Sequence, residues 1–157
     1  MKTIIVLLFF VLASNVFSQY VSLEISYSRI ENDKKKSTRL EKISVQGNSS
    51  SYSLEYTGET MPDEMNIAKS CELSTVSVND VINSIKDNKV AVNESLYARE
   101  RTNDEGIFYL IISVKMLYEG TPYEIILDGE ANLVMENKVY LRVIEFIKDL
   151  RKILKSC

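Results

Sequence analysis

The sequence predicts an α+β fold: an antiparallel sheet of about five to seven strands, a short middle helix, and a long C-terminal amphipathic helix packed on one face. Three observations predict this class. Short segments that alternate apolar and polar residues recur along the chain. Residues 107–118 are apolar along one whole strand face, and residues 139–154 carry an apolar stripe of helical spacing. A stripe of this kind is expected to lie across a sheet.

Residues 1–18 have the pattern of a cleavable secretory signal peptide. Lys2 precedes ten apolar residues at 4–13, too few to span a bilayer, and Val16 and Ser18 occupy positions −3 and −1 of the cleavage point. Cleavage there leaves residues 19–157, which we expect to form a single α+β domain because such a length is typical of one hydrophobic core. The protein is therefore predicted to be exported to the periplasm, the cell surface or the medium.

The N-terminal part of the exported chain predicts a three-stranded meander. In residues 20–30, one face of the first strand is apolar: Val21, Leu23, Ile25 and Tyr27. The second strand, 40–45, has Leu40 out of phase with its other apolar residues, which a bulge there would explain. A turn at 47–50 leads into a third strand at 52–56.

The middle of the chain predicts a long connection at 59–72 and then a short helix. Ser77 and Asp80 have the form of a capping box, and helical spacing is shown by Val78, Val81, Ile82 and Ile85. This helix is expected to end near residue 88. Residues 89–101 predict a weak strand, because polar residues interrupt its alternation.

The last third predicts a second meander and the longest helix. Residues 107–118 form the strongest strand, which we expect inside the sheet with its apolar face under the C-terminal helix. A turn at 119–122 leads to a strand at 123–127. Asp128-Gly129 is a strong two-residue hairpin signal and predicts a final strand at 130–135. The helix stripe is formed by Val139, Val143, Phe146, Ile147, Leu150, Ile153 and Leu154.

The chain contains no His, which removes the commonest acid/base catalyst and the commonest transition-metal ligand. Its five glycines do not have the spacing of a nucleotide-binding loop, and we expect no cofactor and no metal. Asp128, Glu130 and Asn132 imitate the start of a calcium-binding loop. However, Leu133 stands where that loop requires Gly, and Val139 stands where it requires Glu.

Composition narrows the partners further. A formal net charge of −3 offers no attraction to nucleic acid. Beyond the signal, no segment has the roughly 20 apolar residues of a membrane-spanning helix. The first hypothesis is therefore a non-enzymatic exported protein with a binding or structural role, whose partner and oligomeric state the sequence leaves open.

Two alternatives remain beside this hypothesis. One is a carrier of a small apolar ligand, with a pocket between the sheet and the C-terminal helix beneath Phe146 and Leu150. The other is a hydrolase that uses two carboxylates. Acidic pairs such as Glu124 and Asp128 are also what a solvated strand face contains, so they do not by themselves indicate catalysis.

Two features are candidate sites. Cys71 and Cys157 predict one disulfide in an oxidising compartment, with two free thiols or an intermolecular bond as the alternatives. Tyr109 and Ile111, on the less covered face of residues 107–118, predict a surface that receives a protein or small-molecule partner. Ordinary sheet packing is the other explanation of these two residues.

Overall fold

The computed structural model of the protein describes residues 21–32, 37–57, 67–98 and 107–155. The predicted signal peptide and Cys157 lie outside these ranges. The described elements, in chain order, are β1 (Ser22–Asn32), β2 (Ser37–Gln46), β3 (Ser49–Thr57), β4 (Ile67–Glu72), α1 (Thr75–Asp87), β5 (Glu94–Ala98), β6 (Ile107–Tyr118), β7 (Thr121–Glu130), α2 (Ala131–Glu136) and α3 (Lys138–Lys155).

The described strands form one seven-stranded sheet in the order β4-β3-β2-β1-β6-β7-β5. The first four strands are an antiparallel meander, and β6 pairs antiparallel with both β1 and β7. The edge strand β5 pairs with β7 in parallel, which the sequence did not predict. The α+β class, the mostly antiparallel sheet and the interior position of residues 107–118 are confirmed.

One face of the sheet is covered by helices, as predicted. Alternate residues of β6 point into this face and are buried, and Phe146, Ile147 and Leu150 of α3 are buried against the same core. Burial of a side chain of this size contributes about 1.5–3 kcal/mol, so this layer is the main source of stability. The buried β6 residues are Leu110, Ile112, Val114, Met116 and Tyr118, whereas Phe108 at the strand end is partly exposed.

The predicted hairpin at Asp128-Gly129 is wrong. Both residues lie inside β7, and residues 131–136 form helix α2 instead of a strand. Gly129 pairs with Ala98 of β5, and a Cβ atom on Gly129 would lie 2.3 Å from the Ala98 carbonyl oxygen. Glycine is required here because a neighbouring backbone approaches closely.

No bulge forms at Leu40. The pairing of β1 with β2 is continuous from Ser22 to Glu31, so Leu40 lies on the uncovered side of the sheet and Glu41 points into the covered side. Glu41 is 1% exposed. Its carboxylate accepts hydrogen bonds from the guanidinium of Arg151 on α3, with 2.6 Å between Arg151 Nε and Glu41 Oε1. A buried ion pair therefore stands where the pattern predicted an apolar residue.

Two boundaries in the middle of the chain differ from the prediction. Part of the predicted connection at 59–72 is strand β4, which pairs with β3, while residues 58–66 lie outside the described ranges. The helix cap is Ser74 and not Ser77: the Ser74 hydroxyl accepts a hydrogen bond from the backbone N–H of Ser77 at 3.1 Å. The sequence offered two serines three residues apart, and the earlier one satisfies the free N–H groups of the first turn.

A polar contact joins α1 to α3. Asn88 Nδ2 donates to Asp149 Oδ2 at 3.1 Å, and the Ser84 hydroxyl donates to the same oxygen at 3.4 Å. Hydrogen bonds from Lys152 and then Asn88 hold the pKa of the Asp149 carboxyl below its ordinary value, against a smaller opposing effect of burial.

The lowered pKa of Asp149 predicts a pH dependence of stability. Because the folded pKa is lower than the unfolded one, the contribution is present above the unfolded value of about 3.9 and is lost as pH falls through the folded value. Asn88→Ala is therefore expected to lower the unfolding free energy at pH 7, with a smaller loss at pH 3. Urea unfolding at both pH values checks this, with Asn83→Ala, an exposed position on α1, as the control. A loss for Asn88→Ala that is the same at both pH values would contradict it.

A candidate binding face on the open side of the sheet

The second face of the sheet, called here the open face, carries no helix of the described chain. Side chains alternate between the two faces of a strand, so every second residue of each strand lies on it. Each described side chain on the open face is half-buried or exposed, and none is buried. From β1 these residues are Ser22, Glu24, Ser26, Ser28 and Ile30.

The strand register arranges the open face into rows that run across the sheet. The first row contains Ser51, Ser44, Glu24, Lys115 and Glu124. The second row contains Ser53, Lys42, Ser26, Ser113 and Ile126. The third row contains Leu40, Ser28, Ile111 and Asp128, and next to it Ile30 faces Tyr109. The face is therefore hydroxyl-rich and charged at one end and partly apolar at the other.

Two hollows meet at the first row of the open face. The wider, about 540 Å³, extends away from the second row to Ser22, Leu117 and Pro122. The second, about 350 Å³, is called here the serine hollow. The two hollows share Glu24 and Lys115. Five small side chains line the serine hollow, and the longer Glu24, Lys42 and Lys115 stand beside them; the five are Ser26, Ser44, Ser51, Ser53 and Ser113.

The hydroxyls of the serine hollow differ from the buried and capping hydroxyls of the protein. The Ser50 hydroxyl donates to the Cys71 carbonyl oxygen at 3.2 Å, the Ser84 hydroxyl donates to Asp149, and the Ser74 hydroxyl caps α1. Within the described ranges, the five serines of the hollow have no side-chain hydrogen bond to another residue. Their donors and acceptors face solvent and are free for a ligand.

Of the charged side chains that line the serine hollow, only Lys115 forms an ion pair within the described part of the chain. Lys115 Nζ lies 3.4 Å from Glu124 Oε1, and both side chains are largely exposed. A pair of this kind contributes at most about 1 kcal/mol. Lys42 and Glu24 form no ion pair with any group in the described part of the chain. One ammonium and one carboxylate are therefore unshared at this hollow.

The predicted surface residues Tyr109 and Ile111 lie on the open face, beyond the serine hollow. Both are half-buried, and their neighbours across β1 are Ile30 and Ser28. Ile111 is one open-face position from Ser113, so the partly apolar end continues directly from the hollow. The sequence singled out these two residues by their apolar character and missed the serines. Alternating serines in β1 and β3 were a visible signal, but only the register shows that they meet.

The predicted disulfide residues are only half described. Cys71 lies on β4 opposite Ser50, whose Oγ is 3.0 Å from the Cys71 Sγ. Cys157 lies outside the described ranges, so its pairing with Cys71 stays a prediction.

The residues of the apolar-carrier alternative are separate from the hollows, whereas Glu124 of the hydrolase alternative borders the wider one. Phe146 and Leu150 are each 0% exposed in the core, and neither borders the hollows on the open face. Glu124 and Asp128 do share the open face, but Glu124 is paired with Lys115. Among the described residues, no group of three His, Cys, Asp or Glu side chains could hold a metal ion.

In the part of the chain that the structure describes, no helix has the length and apolar character needed to cross a membrane. Compared with protein-family models and with curated proteins, the chain matches none.

Proposed function

We propose that this is an exported, non-enzymatic binding protein that holds a polar ligand on the open face of its sheet. The observation that carries the proposal is the contrast between the two faces. The covered face is closed by helices and its core side chains are buried, whereas the open face presents a hollow where five serine hydroxyls, Lys42 and Glu24 have no side-chain partner among the described residues. Stability depends on the first face, which leaves the second free to bind.

The chemistry of the open face supports binding more than catalysis. The chain has no His, and the carboxylates nearest the hollow, Glu24 and Glu124, are exposed to solvent. A carboxylate that acts as a general acid needs an apolar setting, which these positions do not supply. Hydroxyls and an unshared ammonium, in contrast, are groups that orient and hold a ligand.

The signal-peptide pattern supports export. Residues 1–18 combine a charged start, a short apolar segment and a small-residue cleavage point. A binding protein of this kind would meet its ligand outside the cytoplasm. Tyr109 and Ile111 would contact a ligand or partner that extends beyond the serine hollow, because they continue the same face.

The proposal predicts that filling the hollow abolishes ligand retention. In Ser113→Arg, a long side chain from the middle of the sheet would occupy the serine hollow. Native mass spectrometry of protein from the exported fraction should show a bound small molecule that the Ser113→Arg variant retains at least tenfold less. The matched control is Asn83→Arg, which adds the same charge at an exposed position of α1.

Thermal unfolding of both variants separates lost binding from lost folding. Equal retention by Ser113→Arg and Asn83→Arg would contradict the proposal, and so would a wild-type protein that carries no small molecule after incubation with its exported fraction. A ligand that the Ser113→Arg variant retains and the Phe146→Ala variant does not would favour the apolar carrier instead.

A further inference from the structure

We infer that the serine hollow binds an acidic saccharide, a ligand with one carboxylate and several hydroxyl groups. The inference rests on the proposed function and names its ligand class. Three properties of the hollow lead to it: the hydroxyl lining, the balance of unshared charges, and the size.

The hydroxyl lining selects a ligand that can hydrogen-bond in both directions. Each serine hydroxyl donates one hydrogen bond and accepts others, and those of the hollow have no partner in the described chain. An apolar ligand would cover these groups without replacing their hydrogen bonds to water, which costs binding free energy. The hydroxyls of a sugar ring also both donate and accept, so they can replace water at several serines at once.

The unshared charges favour a ligand that carries one negatively charged group. Among the described residues, Lys42 is the cation beside the hollow that has no ion-pair partner, since Lys115 is shared with Glu124. The Glu24 carboxylate accepts hydrogen bonds from ligand hydroxyls and repels a second negative charge. A ligand with several phosphates or sulfates is therefore disfavoured, and a single carboxylate directed at Lys42 fits.

The size of the two hollows fits a short saccharide. A volume of about 350 Å³ lies at the lower end of the range for small-molecule sites, which suits one or two sugar rings. The wider hollow begins at the shared Glu24 and Lys115 and offers Leu117 and Pro122 as apolar surface. The C–H side of a further sugar ring could pack against this apolar surface.

The test is an NMR titration of backbone amides with defined probes. D-glucuronic acid, D-galacturonic acid and N-acetylneuraminic acid are the acidic probes, with D-glucose as the neutral probe, acetate as the bare carboxylate and glycine as the zwitterion. We expect at least one acidic sugar to shift the amides of residues 24–26, 42–44 and 113–115. Glucose should bind at least fivefold more weakly, and acetate and glycine should not shift these amides.

Two lysine variants test the role of the unshared ammonium. Lys42→Met is expected to weaken binding of the acidic sugar at least tenfold. Lys69→Met, at an exposed lysine of β4 on the covered side of the sheet, should leave it unchanged. Equal effects of the two variants would overturn the inference, as would equal binding of glucose or acetate, or no shift with any acidic sugar.

The NMR titration and the retention experiment together distinguish a wrong ligand class from a wrong binding face. If no acidic sugar binds while Ser113→Arg still loses the small molecule retained by the wild-type protein, the ligand class is wrong and the binding face stands. If the wild-type protein retains no small molecule and no probe binds, both the ligand class and the binding face are wrong.

Discussion

Arg151→Met is expected to lower the free energy of unfolding by about 3 kcal/mol, because it leaves the Glu41 carboxylate buried without its main partner. Glu41 is 1% exposed and accepts two hydrogen bonds from the Arg151 guanidinium. These bonds raise the pKa of Arg151 above its ordinary value, although burial opposes this effect. Arg39 Nη2, 3.7 Å from Glu41 Oε2, compensates only in part.

Urea unfolding of three variants measures this effect. Lys152→Met is the matched control, because Lys152 adjoins Arg151 and its pair with Asp149 is at the surface; a loss of at most about 1 kcal/mol is expected. The double variant Glu41→Leu with Arg151→Met should recover most of the loss, since it removes both charges. If Arg151→Met were no more destabilising than Lys152→Met, Glu41 would have another source of stabilisation.

The elements whose own residues carry a regular period were predictable from the sequence. The stripe from Val139 to Leu154 and the alternation of residues 107–118 depend on neighbours three, four or two positions apart, and both elements lie where they were predicted. Local patterns of this kind need no knowledge of the rest of the fold.

The predictions were wrong where the place of a residue in the fold depends on another residue that is distant in the sequence. Asp128-Gly129 has the local chemistry of a turn, yet Gly129 is needed because the Ala98 carbonyl approaches it. Either Leu40 or Glu41 could point into the covered face. Glu41 does so because its carboxylate pairs with Arg151, which lies 110 positions along the chain from Glu41. No pattern within β2 contains that information.

The candidate site was hidden for the same reason. Ser26, Ser44 and Ser113 each read as the polar side of a half-buried strand. Only the pairing of β1 with β2 and β6 places them at one hollow. The sequence could therefore predict that a polar face exists, but not that its hydroxyls converge beside an unshared lysine.

The second large effect is expected at the predicted disulfide. Cys157→Ser should lower the free energy of unfolding by about 4 kcal/mol, because an intramolecular bond to Cys71 would close a loop of about 85 residues and restrict the unfolded chain. Cys157→Ser leaves the packing of Cys71 against Ser50 in place, whereas Cys71→Ser would disturb it. Urea unfolding with and without reductant measures the effect: reductant should destabilise the wild-type protein and leave the variant unchanged.

Alkylation followed by mass spectrometry distinguishes the ways in which the two cysteines can pair. An unlabelled wild-type monomer supports the intramolecular bond, two labelled thiols contradict it, and a dimer mass that reductant removes indicates an intermolecular bond.

The loss of stability in Cys157→Ser should be concentrated at β4. This strand is at the edge of the sheet and pairs only with β3 among the described strands, so a bond from Cys71 to the chain beyond α3 would give β4 a second attachment. Hydrogen exchange at residues 67–72 should therefore accelerate in Cys157→Ser more than exchange in β1 or β6.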